Sequence, residues 1–386
     1  MKVGWRKRKL REVCELINGR AYSKQELLTE GKYPVLRVGN FFTNDHWYYS
    51  DLELEEKKYC DFGDLLYAWS ASFGPRMWTG EKVIFHYHIW KVVPDAQLID
   101  QKFLFHFFQW DVEQIKQDSG AGTTMLHVSK GSMEDRDIVV PPLHEQRRIV
   151  AILDEAFEGA VAAKANVEKN LQSARTLFES QLQSIFTERR VGWIEKRLEQ
   201  IGTTQTGSTP KTSDRGNYGN FIPFLKPADF NQNGSLDYKR DGLSEQGLRQ
   251  ARKVPAPSVL MVCIGATIGK CGYSDRDATT NQQINSLTPV DEVLHKFVYY
   301  QMLTEDFQQQ VRLNSAQTTL PIINKSKWSA LTAWLPQTLR EQERIVAELD
   351  ALAAETQRLE SIYRRKLVAL DELKKSLLHQ AFTGQL

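Results

Sequence analysis

The chain has 386 residues, 41% hydrophobic and 25% charged, a balance that suits two or three separately cored domains and excludes a disordered tail. Its formal net charge of +2 neither requires nor excludes a nucleic-acid partner, because an overall balance hides any basic face. Four scattered cysteines, Cys14, Cys60, Cys263 and Cys271, form no C-x-x-C pair, which argues against a zinc site or a disulfide framework and for reduced thiols.

In chain order, "MKVGWRKRKL" is basic with no apolar run behind it, and no later stretch reaches bilayer-spanning length. No membrane segment and a cytoplasmic location are expected. Residues 1–141 read as a first globular domain. Within it His86 and His88 alternate along a strand-like run and so face one side, but no third metal ligand lies nearby, which favours a structural role. "SGAGTT" at 119–124 lacks the third glycine of a dinucleotide fingerprint and reads as a loop.

Residues 142–187 read as a long helix opening after Pro141 and Pro142. Its apolar stripe runs through Ile149, Leu153, Ala156, Ala160, Ala163, Val167, Leu171, Ala174, Phe178, Leu182 and Ile185 in steps of three or four. The mean step of 3.6 residues predicts a nearly straight helix, and the segment from about 144 to 186 is a rod of roughly 64 Å at about 1.5 Å per residue.

From residue 188 the sequence repeats itself. Leu198 answers Leu10, Gly207 answers Gly19, "IPFLKPADF" from Ile222 answers "YPVLRVGNF" from Tyr33, and Thr318–Thr319 answer Thr123–Thr124. The offset drifts only from 188 to 196, as expected of one duplicated unit with small loop insertions. Residues 188–336 are thus a second globular domain of the same kind. In it "GATIGK" at 265–270 fails as a Walker A loop, having three residues between its glycines and Cys271 after its lysine. "NQQIN" at 281–285 places Asn281 and Gln283 where the first half has His86 and His88.

Residues 337–386 repeat the long helix after Pro336, and Thr338 followed by Glu341 forms a capping-box pattern. "EQERIVAELD" at 341–350 matches "EQRRIVAILD" at 145–154 in eight of ten positions. Adding 196 to the first stripe gives Ile345, Leu349, Leu352, Thr356, Leu359, Tyr363, Leu367, Leu370, Lys374, Leu378 and Ala381. The second stripe finds a partner in the first only if the chain runs back alongside it. An antiparallel pair carrying two similar domains, with Leu386 returned near Met1, is therefore expected. Pairing is assigned to Ile149, Leu153, Val167, Leu171, Phe178 and Leu182 against Ile345, Leu349, Leu352, Leu359, Tyr363, Leu367, Leu370 and Leu378. Val150, Val346, Ile362 and Leu377 are left either for partner helices or for the core.

The helices are not a nucleic-acid surface: residues 144–186 hold five Lys/Arg against six Asp/Glu, and 340–382 hold eight against eight. Candidate DNA contacts lie in the domains, at Arg37, Asn40, Arg76 and Lys130 in the first and Lys211, Lys226, Lys270, Gln282, Gln283 and Lys325 in the second. Amides read adenine bidentately in the major groove, while Arg and Lys read guanine or hold phosphates. No catalytic motif is found.

"PPLHEQRRIVAILD" and "LREQERIVAELD", each opening a long helix after a globular region, with "HQAFTGQL" closing the sequence, resemble the specificity (S) subunit of type I restriction-modification systems, the HsdS family. The resemblance implies an α+β fold of two target-recognition domains separated by an antiparallel helical coiled coil, each domain reading one half of a bipartite gapped DNA site. It implies that the helices set the gap and dock DNA methyltransferase subunits, which bring in the restriction subunit. It further implies no cofactor or catalysis in this chain, with S-adenosylmethionine, ATP and Mg expected on the partner subunits. The helical pattern alone favours another reading, a coiled-coil adaptor that makes no sequence-specific DNA contact. A fused methyltransferase is excluded by the absence of an N/D-P-P-Y/F motif, the one Pro-Pro pair being in "VPPL".

Overall fold

The computed structural model describes residues 4–42, 45–70, 73–118, 127–188, 192–316 and 320–386. The matched threonine pairs at 123–124 and 318–319, and the "SGAGTT" stretch, lie outside them. The chain folds as two compact units, residues 1–167 with 365–386, and residues 168–364.

The first unit is built on two four-stranded sheets. One has the order Cys14–Asn18, Ile89–Pro94, Leu65–Ala68, Gly74–Met77, all antiparallel. Leu65–Ala68 carries only buried side chains, which explains its inner place and its unbroken apolar sequence. The second sheet has the order Tyr48–Ser50, Tyr33–Leu36, Val83–Phe85, Tyr59–Cys60, with one parallel pair, Tyr33–Leu36 beside Val83–Phe85. A short ribbon, Arg6–Lys9 against Asp137–Val140, joins the entry of the unit to its exit. Helix Gln101–Asp118 packs Phe103, Leu104, Phe107 and Phe108 into the core.

The second unit repeats this plan strand for strand. Its sheets run Gly202–Thr206, Ile284–Pro289, Ser258–Val262, Cys271–Ser274, and Gly242–Leu243, Tyr218–Leu225, Ala278–Thr280, Lys253–Val254. Again one pair is parallel, Tyr218–Leu225 beside Ala278–Thr280, and again a ribbon, Ile194–Arg197 with Thr332–Leu335, closes the unit. The internal repeat is thus a repeat of topology as well as of sequence.

Two helices, Leu143–Thr187 and Leu339–Thr383, pass without interruption from one unit's membership into the other's. In the first unit the start of one helix, Ile149, Val150 and Leu153, shares a core with the end of the other, Leu378, Ala381 and Phe382. In the second unit the pairing is reversed, Leu182 and Phe186 sharing a core with Ile345, Val346 and Leu349. The two helices are therefore antiparallel. Ion pairs cross between them in both units, Lys164 with Asp371 at 3.9 Å and Arg175 with Glu360 at 2.6 Å. Val167, Ala174 and the other predicted stripe positions are buried or half-buried, except Lys374, whose ammonium lies outside, 5.0 Å from the centroid of the Phe157 ring. Val150, Val346 and Leu377 pack on the unit cores, so core packing accounts for three of the four leftover apolar positions. Gly384 lies against Trp5, which brings the two ends of the first unit's chain together.

The repeated decapeptide is an anchor. Buried Gln146 accepts from the Asp100 amide at 2.7 Å and donates to the Leu98 and Pro141 carbonyls at 2.9 and 2.8 Å. Buried Gln342 does the same in the second unit, accepting from Leu294 N at 2.9 Å and donating to Glu292 O at 3.0 Å. The closing aspartate of each copy is also used alike: Asp154 takes Lys102 and His106 at 2.7 and 2.8 Å, and Asp350 takes Lys296 and Tyr300 at 2.8 and 2.7 Å. At the second helix start Thr338 Oγ1 accepts from Glu341 N at 3.4 Å, while the Glu341 carboxylate accepts from the Trp193 indole at 3.3 Å.

Candidate nucleic-acid interface

Chemically distinctive residues of each unit gather around one turn, between the strand of the parallel pair and the strand that follows. In the first unit this turn is His86–Tyr87–His88 and in the second Asn281–Gln282–Gln283. Four backbone hydrogen bonds are repeated, with residues 85, 86 and 89 of the first unit answered at an offset of 195 and their partners outside the turn at 188 or 189. Gly19 N donates to Ile89 O as Gly207 N does to Ile284 O, at 3.1 and 3.0 Å. Arg20 N donates to Phe85 O as Ser208 N does to Thr280 O, at 3.0 and 2.9 Å. His86 N bonds Leu36 O as Asn281 N bonds Leu225 O, at 2.9 and 3.1 Å. Ile89 N bonds His86 O as Ile284 N bonds Asn281 O, at 2.9 and 3.2 Å. The approach is so close that a Cβ on Gly19 would stand 2.3 Å from His86 O, and one on Gly207 2.2 Å from Asn281 O. That contact is the physical reason for the matched glycines. It also corrects the reading of His86 and His88 as alternating strand positions: they sit on a turn.

One backbone frame thus presents two side-chain sets. In the first unit a cavity of about 230 Å³ is lined by Arg37, Asn40, His46, Tyr48, His86 and His88. The Arg37 guanidinium lies over the Tyr48 ring at 5.3 Å, and Asn40 donates to His46 O at 2.7 Å. Burial, then the charges of His88 and Arg37, push the His86 imidazole down to about 4. Burial also lowers His88, with help from His127 and Arg37. Neutral imidazoles carry one N–H donor and one bare nitrogen, which suits base edges better than phosphates. Among the described residues no group of three or more His, Cys, Asp or Glu is placed to hold a metal ion.

In the second unit Asn281 Oδ1 accepts from Gln283 N at 3.1 Å and its Nδ2 donates to Gln283 Oε1 at 2.9 Å. Gln283 Nε2 points to Ile264 O at 3.5 Å, so the Gln283 amide is spent on holding the turn. Gln282 is exposed at the apex and its Oε1 accepts from the Thr209 hydroxyl at 2.5 Å. Arg252, which the sequence did not single out, bonds the same segment through Ser208 Oγ at 3.0 Å and Thr206 O at 2.9 Å.

The other sequence candidates are scattered. Arg76 donates to Phe41 O beside the cavity of the first unit. Lys130 and Lys325 open matched short helices, Lys130–Glu134 and Lys325–Ser329, capped by Ser129 and Asn324. Lys130 pairs with Glu134 at 3.4 Å, and Lys226 with Asp241 at 2.8 Å. The Asn40 counterpart, Asp229, is buried and caps the Lys226 amide at 2.7 Å, so this pair of positions serves different ends in the two units. Lys211 is exposed two residues after Thr209. Lys270 closes the "GATIGK" loop, where Gly265 and Gly269 take left-handed φ angles of 105° and 87° in a hairpin connection rather than a phosphate cradle. Among the described residues no helix is long and apolar enough to cross a membrane.

The family model described as type I restriction modification DNA specificity domain matches residues 2–172 and 190–365, one copy in each half. The type I restriction enzyme HindI specificity subunit of Haemophilus influenzae is 32% identical over 38% of this chain, a match spanning only 32% of that subunit's own length. The EcoBI specificity subunit of Escherichia coli is 21% identical over 99% of this chain and 86% of its own. A solved chain described under complex assembly and conformational transition of the type I R-M system superposes with a TM-score of 0.81 at 21% identity, covering 100% of this chain and 99% of that one. With the matched region covering most of the sequence and both halves sharing one strand order, the chain belongs to the type I restriction-modification DNA specificity family.

Proposed function

We propose that this chain supplies sequence recognition to a type I restriction-modification complex in the cytoplasm, each unit reading one half of a bipartite, gapped site on double-stranded DNA. The observation that carries this reading is the turn repeated bond for bond with different side chains on it. A duplicated scaffold with diverged apices is suited to reading two unlike half-sites. The continuous helices set the number of unread base pairs between them and offer their outer faces to DNA methyltransferase subunits. Methyl transfer from S-adenosylmethionine and ATP- and Mg-dependent cleavage belong to those partners and to the restriction subunit, and this chain is non-catalytic.

Phosphate contacts fall to Lys130, Lys211, Lys226, Lys270, Lys325 and Arg252. The ion pairs of Lys130 and Lys226 are no obstacle, since exposed pairs contribute at most about 1 kcal/mol and exchange readily for a phosphate oxygen. Base reading falls to the two turns, with Arg37, Asn40 and Arg76 around the first.

The test is selection from a random-sequence DNA pool by the full chain assembled with the methyltransferase subunits of its system, followed by sequencing of what is retained. A gapped, asymmetric motif is expected, with affinity that falls as salt rises. Retention indifferent to sequence overturns the proposal.

A further inference from the structure

The two glutamines at the turn of the second unit have different fates. Both ends of the Gln283 side chain are occupied, Oε1 by Asn281 Nδ2 at 2.9 Å and Nε2 by Ile264 O at 3.5 Å. The backbone on either side of Gln282 is held as firmly, with Asn281 N on Leu225 O at 3.1 Å and Cys263 N on Gln283 O at 2.7 Å. Gln282 alone projects from this rigid seat. The Thr209 hydroxyl at 2.5 Å fixes its Oε1, and its Nε2 has no protein partner among the described residues. Thr209 uses one lone pair of Oε1 and leaves the other, so the exposed edge offers an acceptor beside a donor. The major-groove edge of adenine is the complement, an N6 donor beside an N7 acceptor, whereas guanine offers two acceptors and meets Oε1 with like polarity. Lys211, two residues after Thr209, and Arg252, hydrogen-bonded to the same segment at Ser208 and Thr206, are both exposed and available to flanking phosphates.

The first unit has Tyr87 at the corresponding place, 39% exposed, with its ring centroid 4.4 Å from His86 and 4.0 Å from His88. A phenol among imidazoles cannot present the paired edge of an amide.

We propose that Gln282, braced by Thr209, reads one adenine in the half-site of the second unit, and that the apex position, Gln282 in one unit and Tyr87 in the other, is where the two half-sites diverge. The inference rests on the recognition role proposed above and assigns it a residue and a base.

The experiment compares motifs selected by the full chain in its methyltransferase complex for wild type, Gln282→Ala, Gln282→Glu and Gln283→Ala. Gln282→Ala should lower the preference for adenine at one position of one half-site by about ten- to a hundredfold and leave the spacer and the other half-site unchanged. Gln282→Glu, which keeps size and the Thr209 contact but only accepts, should move that position toward cytosine. Gln283→Ala should weaken binding to all sequences of that half-site together. If Gln282→Ala and Gln282→Glu select the wild-type motif unaltered, the assignment is overturned while bipartite recognition stands. A wild-type complex that selects no gapped motif removes the recognition role itself, and the assignment with it.

Discussion

Gln146 and Gln342 are single side chains that hold a long helix to its unit. Each is buried, and each satisfies a backbone amide and a carbonyl in the loop before the helix that packs beneath it. Gln342→Leu keeps much of the volume but leaves Leu294 N and Glu292 O unpaired, and should cost about 2 kcal/mol in chemical denaturation. Arg344→Ala, which removes only an exposed pair with Glu348 at 3.4 Å, should cost less than about 1 kcal/mol in the same assay. His86 gives a pH signature. Its folded value of about 4 lies below the ordinary value near 6.5, so the unfolded chain takes up the proton first. Stability contributed by the neutral ring is present above pH ~6.5 and is lost as pH falls toward about 4. His86→Asn, the residue used at the matched position of the second unit, should flatten that acid slope in a series of melts between those values. His88, His106 and His295 are lowered as well, so part of the slope remains.

Among the elements, the long helices were the most legible in sequence, because a stripe at 3.6-residue spacing is a local pattern that tertiary structure had only to bury. Even Lys374, a charged residue in the stripe, finds an apolar neighbour, its ammonium standing 5.0 Å from the centroid of the Phe157 ring in a cation–π contact. What sequence did not disclose depends on remote partners. The purpose of the repeated decapeptide lies in Leu98, Asp100, Glu292 and Leu294, some 50 residues away, with separations of 48 and 46 for Gln146 and of 48 and 50 for Gln342. Gln282 and Gln283 are indistinguishable in "NQQIN", and only the folded positions of Asn281 Nδ2 and Ile264 O decide which amide is spent within the turn. His86 and His88 looked like strand positions because alternation is a local pattern, while the turn they sit on is fixed by a bond to Leu36 and by the close approach of Gly19, remote in sequence. The end of the second helix illustrates how far an element can act: Phe382 packs on Phe103, Phe107 and Trp110 at centroid distances of 5.1, 5.6 and 5.8 Å. Phe382→Ala should destabilise the first unit by about 3 kcal/mol or more. Hydrogen exchange should then speed up in residues 101–116 and 143–160 while residues 198–335 keep their protection.

For the molecule as a whole, both helices are shared between the units, with the divisions at Val167 and Arg365. An insertion of about seven residues, two turns, at both divisions keeps the apolar stripe in register and every contact inside each unit. In the motif-selection assay it should alter the length of the unread spacer and neither half-site. A change in either half-site would show that the helices take part in reading bases. The same sharing has a bearing on synthesis. The second unit is one continuous segment, 168–364, and can close as soon as it has left the ribosome. The first cannot, because Leu378, Ala381 and Phe382 belong to its core and are translated after the whole of the second unit. At ordinary elongation rates its apolar floor stays open for on the order of tens of seconds. The half that is made first is thus the half that matures last, and a nascent chain from which residue 364 but not residue 378 has emerged would carry a finished second unit joined to an unfinished first one.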